Sequence, residues 1–187
     1  MVINKYILWT LMLLFSMVII SCDDDEPVIP DEPELITTLT YTLVPASGGD
    51  AIVLSFQDLD GDGGAEPMIT GGTLAQNESY TGTIELLNET EDPAENITEE
   101  IEEEDEDHQF FFQSDLADLT FSYNDQDSEG NPIGLSTTLN TVSAGSGSFR
   151  IILRHEPAKS AENVSEGDIT NAGGETDIEV TFPLNVQ

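Results

Sequence analysis

Two short acidic runs and two histidines carry most of the chemistry this sequence offers. Asp58-Leu59-Asp60-Gly61-Asp62-Gly63 reads D-x-D-x-D-G, the first half of a calcium loop. Carboxylates on alternate residues can converge on one hard cation, and glycine permits the sharp turn between them. The twelfth position of an EF-hand falls on Ile69, which cannot ligate, so an EF-hand is excluded; Glu66 could still add an oxygen. Asp125-Gln126-Asp127-Ser128-Glu129-Gly130 repeats the arrangement as D-x-D-x-E-G, again just after an alternating strand that ends in an aromatic. Asp and Gly are also what tight turns prefer. Each loop is open to both readings, a Ca2+ site or a plain solvated turn.

His108 closes the acidic run 99–107, and His155 ends a strand just before Glu156-Pro157. His155 shares the parity of Phe149, Ile151 and Leu153, so it points with the core face at the end of the domain. Two imidazoles with a carboxylate such as Glu156 suit Zn2+ or another transition metal if the fold brings them together. Spacing alone does not do so, because no H-x-x-x-H or C-x-x-C element is present. The competing readings are a strand-end hydrogen bond for His155 and a helix C-terminal cap for His108.

The elements that must position these groups are mostly strands. Leu35, Thr37, Leu39, Tyr41 and Leu43 recur with period two, as do Ile52, Leu54 and Phe56, and Leu119, Phe121 and Tyr123. Phe149, Ile151 and Leu153 share one face, and Ile178, Val180, Phe182, Leu184 and Val186 continue the pattern to the end of the chain. Residues 79–87, the triplet Phe110-Phe111-Phe112 and residues 135–142 are further strands. Gly-rich punctuation at 47–50, 71–72 and 144–147 separates them. Eight or nine short antiparallel strands predict a mainly all-β fold, a β-sandwich of immunoglobulin-like size, with a closed β-barrel as the alternative.

One short acidic helix interrupts the strands. Asp92-Pro93-Ala94-Glu95 supplies an N-cap, a first-turn proline and an early acid, and Ala94, Ile97 and Ile101 follow at helical spacing. The acids that follow oppose the macrodipole, so the helix stops early or something positive settles at its end. Residues 156–175 form a loop long enough to be functional, with Glu166, Asp168 and Glu175 placed to rim a site near His155.

The formal net charge of −34 excludes nucleic acid as a partner, since phosphate binding needs Lys and Arg and the chain has four in total. No nucleophile elbow, phosphate loop, zinc-protease helix or Ser/His/Asp order can be read, which argues against an enzyme. Acid pairs are too abundant to single out a glycosidase couple.

Lys5, the apolar run Tyr6 to Ile20, and then Ser21-Cys22 describe a secretory signal. The end of that signal resembles a bacterial lipobox, which makes Cys22 a lipid attachment point and residues 1–21 a lipoprotein signal peptide. Residues 22–34, acidic and rich in proline, form a self-repelling tether. Residues 35–187 make a single β-sandwich domain, joined to the membrane through the N-terminal lipid. Acyl chains there give stable anchoring, each buried methylene adding about 0.8 kcal/mol.

Beyond the anchor, the stretches Glu34-Leu35-Ile36-Thr37-Thr38-Leu39, Ser55-Phe56-Gln57-Asp58-Leu59-Asp60, Leu86-Leu87-Asn88-Glu89, His108-Gln109-Phe110-Phe111, Arg154-His155-Glu156-Pro157 and Gly167-Asp168-Ile169-Thr170-Asn171 carry a resemblance. Over residues 20–187 the chain resembles small acidic outer-membrane lipoproteins associated with TonB-dependent receptors, often named "type 1 periplasmic binding fold superfamily protein". That resemblance implies an outer-membrane, lipid-anchored protein, at the cell surface or on the periplasmic face. Its partner would be a TonB-dependent receptor, and its role accessory to nutrient or metal uptake. The family's name implies an α/β fold, whereas the strand pattern here points to all-β. The rival function is a calcium-stabilised structural or adhesive surface module.

Overall fold

The computed structural model describes residues 34–61 and 63–187. The signal peptide, Cys22, the tether up to residue 33 and Asp62 lie outside the described residues. Ten strands and one short helix follow one another: β1 (Thr38–Pro45), β2 (Ile52–Gln57), β3 (Met68–Thr70), β4 (Gly72–Leu74), β5 (Ser79–Leu87), α1 (Ile97–Glu103), β6 (His108–Ser114), β7 (Leu119–Tyr123), β8 (Ser136–Thr141), β9 (Gly145–His155) and β10 (Glu175–Val186). They form a six-stranded sheet in the order β3-β2-β1-β5-β8-β7 and a four-stranded sheet in the order β4-β10-β9-β6. Among the described residues the fold is an all-β, two-sheet sandwich with one short α-helix, and no closed barrel forms.

Period-two alternation places the core between the sheets. Leu39, Tyr41 and Leu43 of β1 and Ile84 and Leu86 of β5 meet Phe110 and Phe112 of β6, Phe149, Ile151 and Leu153 of β9, and the apolar row of β10. Tyr41 is the bridge: its ring lies 5.8 Å from Phe149 and 6.0 Å from Phe112, and its hydroxyl is 2.7 Å from Thr137 Oγ1. The close approach of that ring explains Gly82 on the neighbouring strand. A Cβ there would stand 2.3 Å from the Tyr41 oxygen, so no larger residue fits without displacing the ring.

Three local features depart from the sequence pattern. Strands β3 and β4 occupy the stretch read as punctuation around Gly71-Gly72, and β4 pairs parallel to β10 rather than antiparallel. The glycine run before Phe149 is itself strand, the first third of β9, paired to the end of β10. The helix begins at Ile97 with Asn96 as its N-cap, not at Asp92, because Glu95 is drawn into a backbone bridge with Asn88. Ile97 and Ile101 are buried at the end of the core as their spacing requires, and the Thr98 hydroxyl fastens the first turn to Leu86.

The acidic helix end resolves in both of the expected ways. The helix stops at Glu103, and a cation settles beyond it: Lys159 donates to the Asp105 carbonyl and to Asp127 Oδ2 at 2.9 Å. Lys159 belongs to the long loop 156–174, which folds back over the outer face of the four-stranded sheet. There Phe111, Ile152, Val164 and Ala172 form a second apolar cluster, and Gln109 donates to the Val164 carbonyl at 2.9 Å. The loop is a cover held by two 3-10 turns (Val164–Glu166 and Ile169–Asn171) rather than the rim of an opening.

Burial works against the charge of Asp127, but the Lys159 hydrogen bond and the Asn131 and Glu129 amides outweigh it and hold its carboxyl below the ordinary range. The stabilisation is therefore complete above the ordinary carboxylate pKa and is lost as pH falls through the lower, folded value. Lys159→Met, which strands a buried carboxylate, is expected to lower stability by about 3 kcal/mol near neutral pH. Denaturant melts down a pH series should show that gap closing as pH falls through the carboxylate range to the lowered, folded value of wild type. A gap that stays constant to acid pH would mean the pair contributes nothing electrostatic.

Candidate metal centre

His108 and His155 stand directly opposite one another in the β6–β9 ladder. Each continues an inward row, His108 that of Phe110 and Phe112 and His155 that of Leu153, Ile151 and Phe149. Both rings therefore enter the end of the core. They stack at 4.7 Å between centroids, tilted by 20°.

The third member comes from an irregularity. Along β10, Thr176 pairs with Arg154 and Ile178 with Leu153, which leaves Asp177 as an extra residue in a β-bulge. A bulge re-aims side chains. Here Asp177 and Ile178, neighbours in sequence, both turn inward, Ile178 to the apolar core and Asp177 to the histidines. The Asp177 Oδ2 lies 3.8 Å from His108 Nε2, and its Oδ1 lies 3.9 Å from His155 Nδ1. The side chains of His108 and Asp177 are 0% exposed and that of His155 is 7% exposed.

Those distances are too long for hydrogen bonds. His108 Nε2 and both Asp177 oxygens are buried without a hydrogen-bond partner among the described residues. Such groups cost about 1–3 kcal/mol each when left unsatisfied. The tautomer explains what they await. His108 Nδ1 sits 3.1 Å from the Glu104 carbonyl, just past the end of α1, so Nδ1 carries the proton and donates it. Nε2 is then a bare lone pair facing a carboxylate, and two electron-rich groups face each other across a gap a cation fits. A backbone carbonyl behind the non-ligating ring nitrogen is the usual support of a metal-binding histidine.

The electrostatics agree. Burial, against the pull of the Glu104 carbonyl, lowers the His108 pKa and keeps the ring neutral, as a ligand must be. Burial also pushes Asp177 up to about 6; the neighbouring His155 offsets part of this and Glu175 adds to it. One ligand atom from each of His108, His155 and Asp177 lies within 4.8 Å of the others, and Glu34, Glu104 and His108 form an overlapping group. Two imidazole nitrogens and a carboxylate oxygen match zinc and its neighbours. Calcium asks for six or more oxygens.

The other sequence-derived candidates lie elsewhere. Glu156 follows His155 but has left-handed backbone (φ 50°), and its exposed side chain is not in either converging group. Asp58 Oδ1 accepts from the amides of Asp60 and Gly61, and Asp60 Oδ2 from Ala65; Glu66 is exposed. Asp125 uses one oxygen on the Gly134 amide and the other on the Ser136 amide. Asp127 serves Glu129, Asn131 and Lys159, and Glu129 is exposed. Among the described residues these acids do not converge as a group of three, and the carboxylates of Asp58, Asp60, Asp125 and Asp127 accept from backbone amides.

No protein-family model matches the chain, and no curated protein matches it. Among solved structures, domains 4 and 5 of the S-layer protein SbsC are similar at 16% identity, over 79% of this chain and 75% of that one, with a TM-score of 0.30.

Asp177→Asn keeps the shape and removes the buried charge. At about pH 8, where the wild-type carboxyl is ionised, the chelator-treated variant is expected to be more stable than wild type by about 1–3 kcal/mol, read by denaturant unfolding. A loss of stability would show that the carboxylate is already satisfied and the site needs no ion.

Proposed function

We propose that this chain is a non-enzymatic surface module, lipid-anchored at Cys22, whose sandwich is locked by a divalent transition-metal ion held by His108, His155 and Asp177. The observation that carries this reading is the set of buried, unpartnered ligand atoms, His108 Nε2 and both Asp177 oxygens, that face one another at the closed end of the core. The ion is structural. Sites with ligands this deeply buried exchange slowly and keep their metal, whereas capture and hand-over need an open coordination position.

The module works through protein contacts, with the metal stiffening the strand ends that α1 and the long loop cover. This is the structural or adhesive role, with a nitrogen-ligated ion in place of calcium. An accessory role beside a TonB-dependent receptor, implied by the sequence resemblance, is compatible with it provided the receptor contacts the module and does not draw on its ion. The lipid at Cys22 and the acidic segment after it would hold the module at the outer membrane.

Calorimetric titration of the chelator-treated protein with zinc and then calcium tests the reading. Zinc should bind at one site and stabilise the fold, by about 2.7 kcal/mol at a hundredfold excess over Kd. His108→Ala and His155→Ala should each abolish both effects. Stabilisation by calcium alone would move the ion to the acidic loops and sink the proposed centre.

A further inference from the structure

The three buried groups supply two nitrogens and one oxygen, one donor short of the tetrahedral set that closed zinc-class sites use. Resting on the metal reading above, we propose that Glu34 is the fourth ligand, so that the bound ion fastens the residue where the tether joins the domain to the end of the sandwich. Glu34 offers a carboxylate oxygen within 4.8 Å of ligand atoms of both His108 and Glu104. It lies close enough to Asp177 to feel its charge and is hydrogen-bonded to Glu100 on the last turn of α1. It thus sits beside His108, the residue the two groups share, and within range of the Asp177 charge. Glu34 is half-buried while Glu104 is exposed, which makes Glu34 the inward member of that pair.

The charge count favours this donor. His108 and His155 are neutral ligands and Asp177 contributes one negative charge, so a divalent ion keeps a surplus positive charge in a buried place. A second carboxylate cancels it, which lowers the cost of burying the ion. Glu100, hydrogen-bonded to Glu34 from α1, then acts as a positioning residue for that carboxylate.

The test uses the full chain, chelator-treated, with zinc chloride as the probe and a chromophoric chelator as competitor. Glu34→Gln should weaken zinc binding by about tenfold or more without abolishing it, while Glu104→Gln stays within about threefold of wild type. Hydrogen exchange gives a second readout: zinc should slow exchange at the Leu35 and Ile36 amides in wild type and not in Glu34→Gln. Equal zinc affinity and equal protection in Glu34→Gln would overturn the fourth-ligand assignment and leave the three-ligand centre standing. A loss of binding in Glu104→Gln but not in Glu34→Gln would overturn it in favour of the other carboxylate. Failure of wild type itself to bind zinc would sink the metal reading from which the proposal starts.

Discussion

Strands β6 and β9 are apolar on both faces, and the need to cover them twice shapes the rest of the domain. Phe110 and Phe112 face the six-stranded sheet while Phe111, between them, faces the opposite way; Ile151 and Leu153 flank Ile152 in the same manner. The first face is met by ordinary sheet-on-sheet packing. The second has no sheet to meet it, so residues 156–174 are bent into a lid of apolar side chains. A segment without regular pairing needs its polar backbone groups satisfied. Gln109 and the Ala158–Ala172 backbone bond supply partners, and Lys159 ties the lid to the acidic end of α1. In a chain so short of cations, placing one of them under cover, against two acidic segments, shows how much that contact matters to the closure.

The same double burial creates the chemistry. At the end of β6 and β9 the inward rows run out of sandwich, and the next inward positions are His108 and His155. Helix α1 and the chain around Glu34 close that end. The imidazoles are thereby taken out of water with a carboxylate beside them, and solvent cannot serve the exposed lone pairs. The centre is a product of where the core ends.

Much of this could be read from the sequence because burial leaves a period. Strands β1, β2, β7, β10 and the latter part of β9 announced themselves by alternation, and the inward direction of His155 followed from counting by two from Phe149. The consecutive aromatics 110–112 and the run Ile151-Ile152-Leu153 also recorded burial on both faces, a signal that distinguishes a covered loop from an open rim. What stayed hidden broke the period or lacked one. Strands β3 and β4 are three residues each, too short to repeat. Asp177 counts as an outward residue in any alternating reading, and only the bulge turns it inward. Glu34 stood inside an acidic tether, one acid among many. The acidic loops carried a ligand-like pattern, and in the fold several of their carboxylates accept from backbone amides, because the same geometry that suits a cation also suits a turn.

The bulge itself has a consequence for how such a centre can come and go. On either side of Asp177 the pairing of β10 with β9 is continuous, Thr176 with Arg154 and Ile178 with Leu153. Removing that one residue would splice the ladder into a regular strand and leave every other pairing where it is. The step between a plain sandwich and one with a ligand-bearing end is thus a single codon, gained or lost in frame. A lineage could acquire or discard the centre without rebuilding its scaffold, and a designer could graft it into another sandwich by inserting one aspartate opposite a pair of strand-end histidines.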